Sequence, residues 1–225
     1  VTATSARKNY GDTDPELLYT ITSGALVAGD TLDGALERAS GESVGTHSIT
    51  RGTLANANYT ITYVGANLTI DPRPITVRAA DKTKVFGQPD PQLTYEITSG
   101  NLIGDDTLSG SISRNSGDNI GSYAIGRGNL ANSSYAITFI DATLSVTGAD
   151  QTGFTLGAAS TSIIYGDSTE LSTSGGNGDG AVTYDVTDGT GGCTISGDTI
   201  TAVDAGTCVV TATKAQEGNY NSATS

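Results

Sequence analysis

Apolar and polar side chains alternate along most of the chain, a period of two that predicts strands. Leu17, Tyr19 and Ile21 fall on one face of such a strand, and Leu93, Tyr95 and Ile97 repeat them. Residues 75–80 (ITVRAA), 44–49 and 120–125 carry the same signal. Longer runs from Tyr59 to Ile70 and from Tyr135 to Val146 change parity midway. That change predicts a bulge or turn near Gly65 and Asp141. Nothing is long or periodic enough for a full helix. Asp30-Thr31-Leu32 and Asp106-Thr107-Leu108 are the candidates for a single helical turn, with the Asp as cap.

These runs are copied. Tyr10–Ile70 and Phe86–Val146 align without a gap when 76 is added to the first set of numbers, and roughly half the positions are identical. A period this long is a whole small domain, because one solenoid turn takes about 20–50 residues. Asp71-Pro72-Arg73-Pro74 joins the copies, and its two prolines predict a stiff, extended connector. Residues 147–152 (TGADQT) lack proline and should bend more easily. Beyond them the pattern changes: short strands near 154–156, 183–186, 193–196, 199–203 and 208–213 with Gly-rich turns predict a sandwich. The chain is therefore expected to be all-β and mainly antiparallel, in three tandem domains over 1–71, 72–148 and 149–225.

Composition narrows the function. The 24 acidic and 11 basic residues give a net charge of −13. Nucleic acid and anionic membrane surfaces both need a cationic face, so neither is an expected partner. No apolar run is long enough to span a bilayer as a helix. Thirty glycines, with no Trp and no Met, suit turns and strands, and the missing Met implies a segment cut from a longer polypeptide.

Candidate chemistry is sparse. Cys193 and Cys208 are the only cysteines, 15 residues apart, each opening a predicted strand. They are either two reduced core thiols or, as expected, a disulfide contributing roughly 3 kcal/mol, which implies an oxidising compartment. His47 is the only histidine, and its counterpart is Tyr123, so a catalytic imidazole would have no equivalent in the copy. There is no nucleophile elbow, zinc-protease helix or phosphate loop, and the acids sit in turns where Asp makes local hydrogen bonds. No enzyme is expected. Asp71, Asp81, Asp141 and Asp150 lie near the two connectors and are weak candidates for calcium, a hard cation that takes oxygen ligands. No other cofactor is implied. Lys8 and Lys84 are equivalent, as are Asn56 and Asn132. A Lys–Asn amide cross-link is one reading, and lysines guarding exposed strand edges the expected one.

Several motifs resemble a known family. The openings Tyr10-Gly11 and Phe86-Gly87, Asp-Pro-x-Leu at 14–17 and 90–93, and Tyr-x-Ile-Thr-Ser-Gly at 19–24 and 95–100 resemble MBG-type repeats of large bacterial surface proteins. So do Asn58-Tyr59 and Ser134-Tyr135. The resemblance implies β-grasp-like domains related to mucin-binding modules, with no catalytic residue to carry over. The third unit resembles bacterial immunoglobulin-like repeats through Tyr165-Gly166-Asp167, Thr207-Cys208-Val209-Val210 and Gly218-Asn219-Tyr220-Asn221. Such repeats run on into another strand, so the last strand is expected beyond Ser225. The combined expectation is an extracellular stalk or spacer of an adhesin or surface filament, whose partners are neighbouring repeats. The alternatives are a module binding cell-surface glycans or proteins, and a subunit that polymerises by β-strand donation.

Overall fold

The computed structural model describes residues 1–225, the side chain of Asp188 excepted. It is all-β, with no helix among the described residues. The first copy holds β1 (Thr2–Ala3), β2 (Ala6–Asn9), β3 (Tyr19–Thr20), β4 (Glu37–Arg38), β5 (Gly45–Thr50) and β6 (Ala66–Asp71). β2, β6, β5 and β4 form one sheet in that order, and β1 pairs with β3. Alternation puts Leu36, Ile49, Leu54 and Leu68 into one buried cluster with Ala3, against which Leu17, Tyr19, Leu32 and Tyr63 pack.

The second copy holds β7 (Arg73–Ala79), β8 (Lys82–Val85), β9 (Tyr95–Ser99), β10 (Ser113–Arg114), β11 (Gly121–Gly126), β12 (Tyr135–Ile140) and β13 (Ala142–Thr147). One sheet runs β10-β11-β13-β8 and the other β12-β7-β9. The parity change at Asp141 is thus no bulge. There the chain leaves one sheet and enters the other, so the inward face switches. The sheets are mixed, because β2–β6, β7–β12 and β8–β13 are parallel pairs. Pro72 alone separates β6 from β7, so the expected connector is mostly strand.

The C-terminal residues hold β14 (Thr155–Ala158), β15 (Ser168–Ser174), β16 (Val182–Asp188), β17 (Cys193–Ser196), β18 (Thr199–Ala202), β19 (Cys208–Lys214) and β20 (Ala223–Thr224). They make two antiparallel sheets, β14-β15-β18-β17 and β16-β19-β20. The apolar pattern does not announce β15: Leu171 is its only large apolar residue, and Thr169 takes another buried position. Residues 147–152 are pinned, since Ala149 donates to the Asn219 carbonyl and accepts from the Asn221 amide.

Packing divides the chain into two compact units, one of residues 1–80, 94–113 and 126–141, the other of 81–93, 114–125 and 142–225. The first unit therefore holds the whole first copy with β7, β9 and β12, and the second holds β8, β11 and β13 with the C-terminal strands.

Candidate functional site: a copied ion cluster and two joints

Four charged positions that keep their sign through the copying are gathered into one cluster per copy. In the first, Lys8 sits on β2 with its side chain only 4 % exposed. Its Nζ reaches Asp14 Oδ1 at 2.6 Å, Glu42 Oε2 at 2.5 Å and the Asp12 carbonyl at 3.0 Å. Arg38 closes the ring, donating Nε to Asp14 Oδ2 at 2.6 Å and Nη2 to Glu42. Two further carbonyls, of Ala39 and Gly41, accept from its Nη1. Lys84, Asp90, Arg114 and Asp118 rebuild the arrangement in the second copy, with Lys84 Nζ 2.7 Å from both carboxylates and Arg114 Nε 2.6 Å from Asp90. Hydrogen bonds from Arg38 and then Lys8 hold Asp14 down at about 2, and Arg114 and then Lys84 do the same for Asp90. Burial works against the Lys8 charge, but its bonds to Asp14 and Glu42 outweigh that and raise its pKa. Every carboxylate here already faces two cations, so the cluster clamps the opening loop to β4.

Lysines guarding an exposed edge are thus the wrong picture. Lys8 lies on an edge strand, yet its ammonium turns inward to the acids. The cross-link finds no support either, because the Asn56 amide donates to the Thr31 carbonyl while its oxygen accepts from Asn58 N.

His47 and Tyr123 do the same work with different chemistry. His47 Nε2 lies 2.8 Å from the Ser43 carbonyl, to which it must donate, and the Tyr123 hydroxyl donates to the Asn119 carbonyl at 2.7 Å. Asp30 and Asp106 cap no helix. Each accepts a tyrosine hydroxyl, from Tyr59 at 2.7 Å and from Tyr135 at 2.6 Å. The same hydroxyls accept the backbone N–H of Val27 and Ile103.

The opening aromatics build the joints. Within the first unit, the Tyr10 ring meets Tyr135 edge to face at 5.7 Å. Gly11 follows with φ +78°, and a Cβ there would stand 2.6 Å from Ile103 Cγ1, so only glycine lets the turn lie this close. Arg73 ties the turn down from its Nη1, at 2.8 Å to Asp12 Oδ1 and 3.2 Å to the Tyr10 carbonyl. Within the second unit, Phe86 meets Tyr220 edge to face, again at 5.7 Å. Asn219 holds that joint: its Oδ1 accepts from Ile120 N and its Nδ2 donates to Asn119 Oδ1. Tyr10 N to the Asp71 carbonyl and Phe86 N to the Thr147 carbonyl are equivalent bonds at the two joints.

The four calcium candidates do not converge. Asp71 pairs with Arg7 at 2.6 Å, which holds its pKa below the usual carboxylate range. Asp81 accepts from Thr143 N and Asp150 from Asn221 Nδ2. Asp141 lies near Gly126. No three His, Cys, Asp or Glu side chains group as a metal site among the described residues. Cys193 and Cys208 are joined as a disulfide, with Cα atoms 6.2 Å apart.

Sequence reasoning missed the cluster and the joints, although a signal was present. Arg38/Arg114 and Glu42/Asp118 are charged pairs kept at the period of 76, and only pairing them with Lys8/Lys84 and Asp14/Asp90 would have revealed one site. Residues 1–69 and 75–145 each match the family model of the MBG domain, YGX type. No curated protein matches the chain.

Proposed function

Because the chain belongs to the MBG domain family of the YGX type, a family of repeat modules in surface proteins, we propose that it is an extracellular spacer in the stalk of a bacterial adhesin or surface filament. The observation that carries this reading is the recurrent joint. Tyr10 on Tyr135 and Phe86 on Tyr220 couple each opening turn to the module that follows, at the same ring separation. A spacer needs identical mechanical joints, whereas a ligand site needs only one good copy. The copied ion clusters support it too, because they brace loops and leave no unpaired charge for a substrate. The C-terminal residues serve as an immunoglobulin-like module, a reading supported by their two antiparallel sheets and the Cys193–Cys208 disulfide. That disulfide also fits an oxidising compartment outside the cytoplasm.

Stretching the chain from its ends in a single-molecule instrument tests the proposal. Discrete unfolding steps are expected, and reductant should add about 5 nm of released length from the 15-residue disulfide loop. Featureless extension would refute a load-bearing role. A glycan array with the whole chain tests the binding alternative: specific binding below millimolar concentration would replace the spacer reading.

A further inference from the structure

The strands on which the second copy opens lie beside the strands on which it closes, and they run the same way. β7 pairs in parallel with β12, from Arg73 opposite Tyr135 to Arg78 opposite Ile140. β8 pairs in parallel with β13, from Lys82 opposite Leu144 to Val85 opposite Thr147. The first pair lies within one compact unit and the second within the other. In both, the partner is 62 residues further on, although the chain changes sheet between them. Asp81 keeps that spacing at the change, its Oδ1 accepting from Thr143 N at 2.8 Å, again 62 residues on. The ladders are bonded at their outer ends as well. Arg73 N donates to the Ser134 carbonyl at 2.9 Å and Phe86 N to the Thr147 carbonyl at 2.8 Å.

The first copy keeps this register. Thr2 lies opposite Val64, and β2 runs parallel to β6 from Ala6 opposite Leu68 to Asn9 opposite Asp71, the partner again 62 residues on. Arg7 reinforces the pair, its Nε and Nη2 donating to the two oxygens of Asp71 at 3.0 and 2.6 Å. The ion clusters hold the same opening strands by their side chains, through Lys8 on β2 and Lys84 on β8. Sliding either strand along its neighbour would draw an enclosed ammonium away from both of its acids.

Parallel neighbours put the first residue of one strand and the last residue of the other at opposite ends of their ladder. Tension between the two ends of a copy therefore acts along the strands, across hydrogen bonds that run from strand to strand. Those bonds resist together. Antiparallel terminal strands would bring both ends of the copy to one end of the ladder, where tension opens the bonds one after another. We propose that the parallel opening and closing strands are the element of each copy that resists tension, a shear clamp built twice at one register. Its use rests on the spacer reading, but the clamp itself follows from strand direction and acts in any chain that is pulled.

The test pulls the 225-residue chain along two axes at one loading rate, through handles on introduced azide-bearing residues. One pair of handles replaces Pro72 and Thr147, so that only the second copy is loaded, with β7 sheared along β12 and β8 along β13. The other replaces Val85 and Thr147, which face each other in the ladder, and peels β8 from β13. All three positions are exposed, as is Thr83, which with Thr147 gives a second peeling pair if the handle at Val85 prevents folding. Urea unfolding of each handled protein checks that its equilibrium stability matches the wild type, so that a difference in force reports the direction of pulling. Forced unfolding follows the unfolding rate, and the force along the shearing axis should exceed that along the peeling axis several-fold. Equal forces, or a stronger peeling axis, overturn the clamp. The two readings fail separately: specific glycan binding would displace the spacer and leave the force ratio standing, whereas equal forces would remove the clamp and leave the joints.

Discussion

Replacing Lys8 with methionine probes the ion cluster where it is most enclosed. Methionine keeps most of the apolar stem and removes the ammonium. The Lys8 side chain is 4 % exposed, while its partners Asp14 and Glu42 are 39 % and 53 % exposed. Breaking a fully buried pair costs about 3–5 kcal/mol and an exposed pair contributes about 0–1, so this half-screened case should lose about 2 kcal/mol near neutral pH. The loss must depend on pH. Asp14 titrates at about 2 in the folded protein, below its unfolded value. Its contribution is therefore complete above about pH 4 and disappears as pH falls through about 2. Glu42, also lowered, follows the same direction. Urea unfolding of the wild type and Lys8→Met, followed by far-ultraviolet circular dichroism at neutral pH and near pH 2, measures both limits. An equal penalty at the two pH values would mean that packing, not charge, holds Lys8 in place. No penalty at neutral pH would refute the clamp itself.

Three further outcomes follow from the same geometry. Replacing Cys193 and Cys208 together with serine should lower the stability of the second unit by roughly 3 kcal/mol, read as a drop in its melting temperature, while the first unit melts unchanged. Gly11→Ala should destabilise more than Gly87→Ala in thermal melts: both glycines have positive φ, costing roughly 1–2 kcal/mol for alanine, but only at Gly11 does the new Cβ meet a neighbour, Ile103. Tyr135→Phe should cost about 1–3 kcal/mol by urea titration because it strands Asp106 and Ile103 N in a covered site. Tyr59→Phe should cost less, since water can reach the open face beside Val27.

The strands were legible in β7, β11 and β12, where two or more large apolar residues alternate, but Tyr59, Ile61 and Tyr63 alternate as well and form no strand. Parity also marked Asp141, where the sequence predicts a bulge or turn; the structure places a change of sheet between β12 and β13 there, and each of these events flips the inward face. β15 escaped since threonine fills its buried position beside Leu171. Helical turns at Asp30 and Asp106 were misread because a capping Asp and an Asp that accepts a tyrosine hydroxyl look alike until Tyr59 and Tyr135, 29 residues away, are placed. Long-range pairing hid the ion clusters for the same reason: Asp14 and Arg38 are 24 residues apart, and nothing local joins them. The cysteine pair was legible because its spacing and its strands left few alternatives.

Each copy carries an aromatic-glycine turn, Tyr10-Gly11 or Phe86-Gly87, and a tyrosine at the equivalent position, Tyr59 or Tyr135, of which Tyr135 seats the turn of the copy before it. Unequal exchange within the gene that inserts or deletes a whole period of 76 residues would then regenerate the same contact, wherever the crossover fell. The polypeptide could lengthen or shorten over generations without inventing an interface. Insertions out of phase would pay twice, losing a turn on one side and a seat on the other.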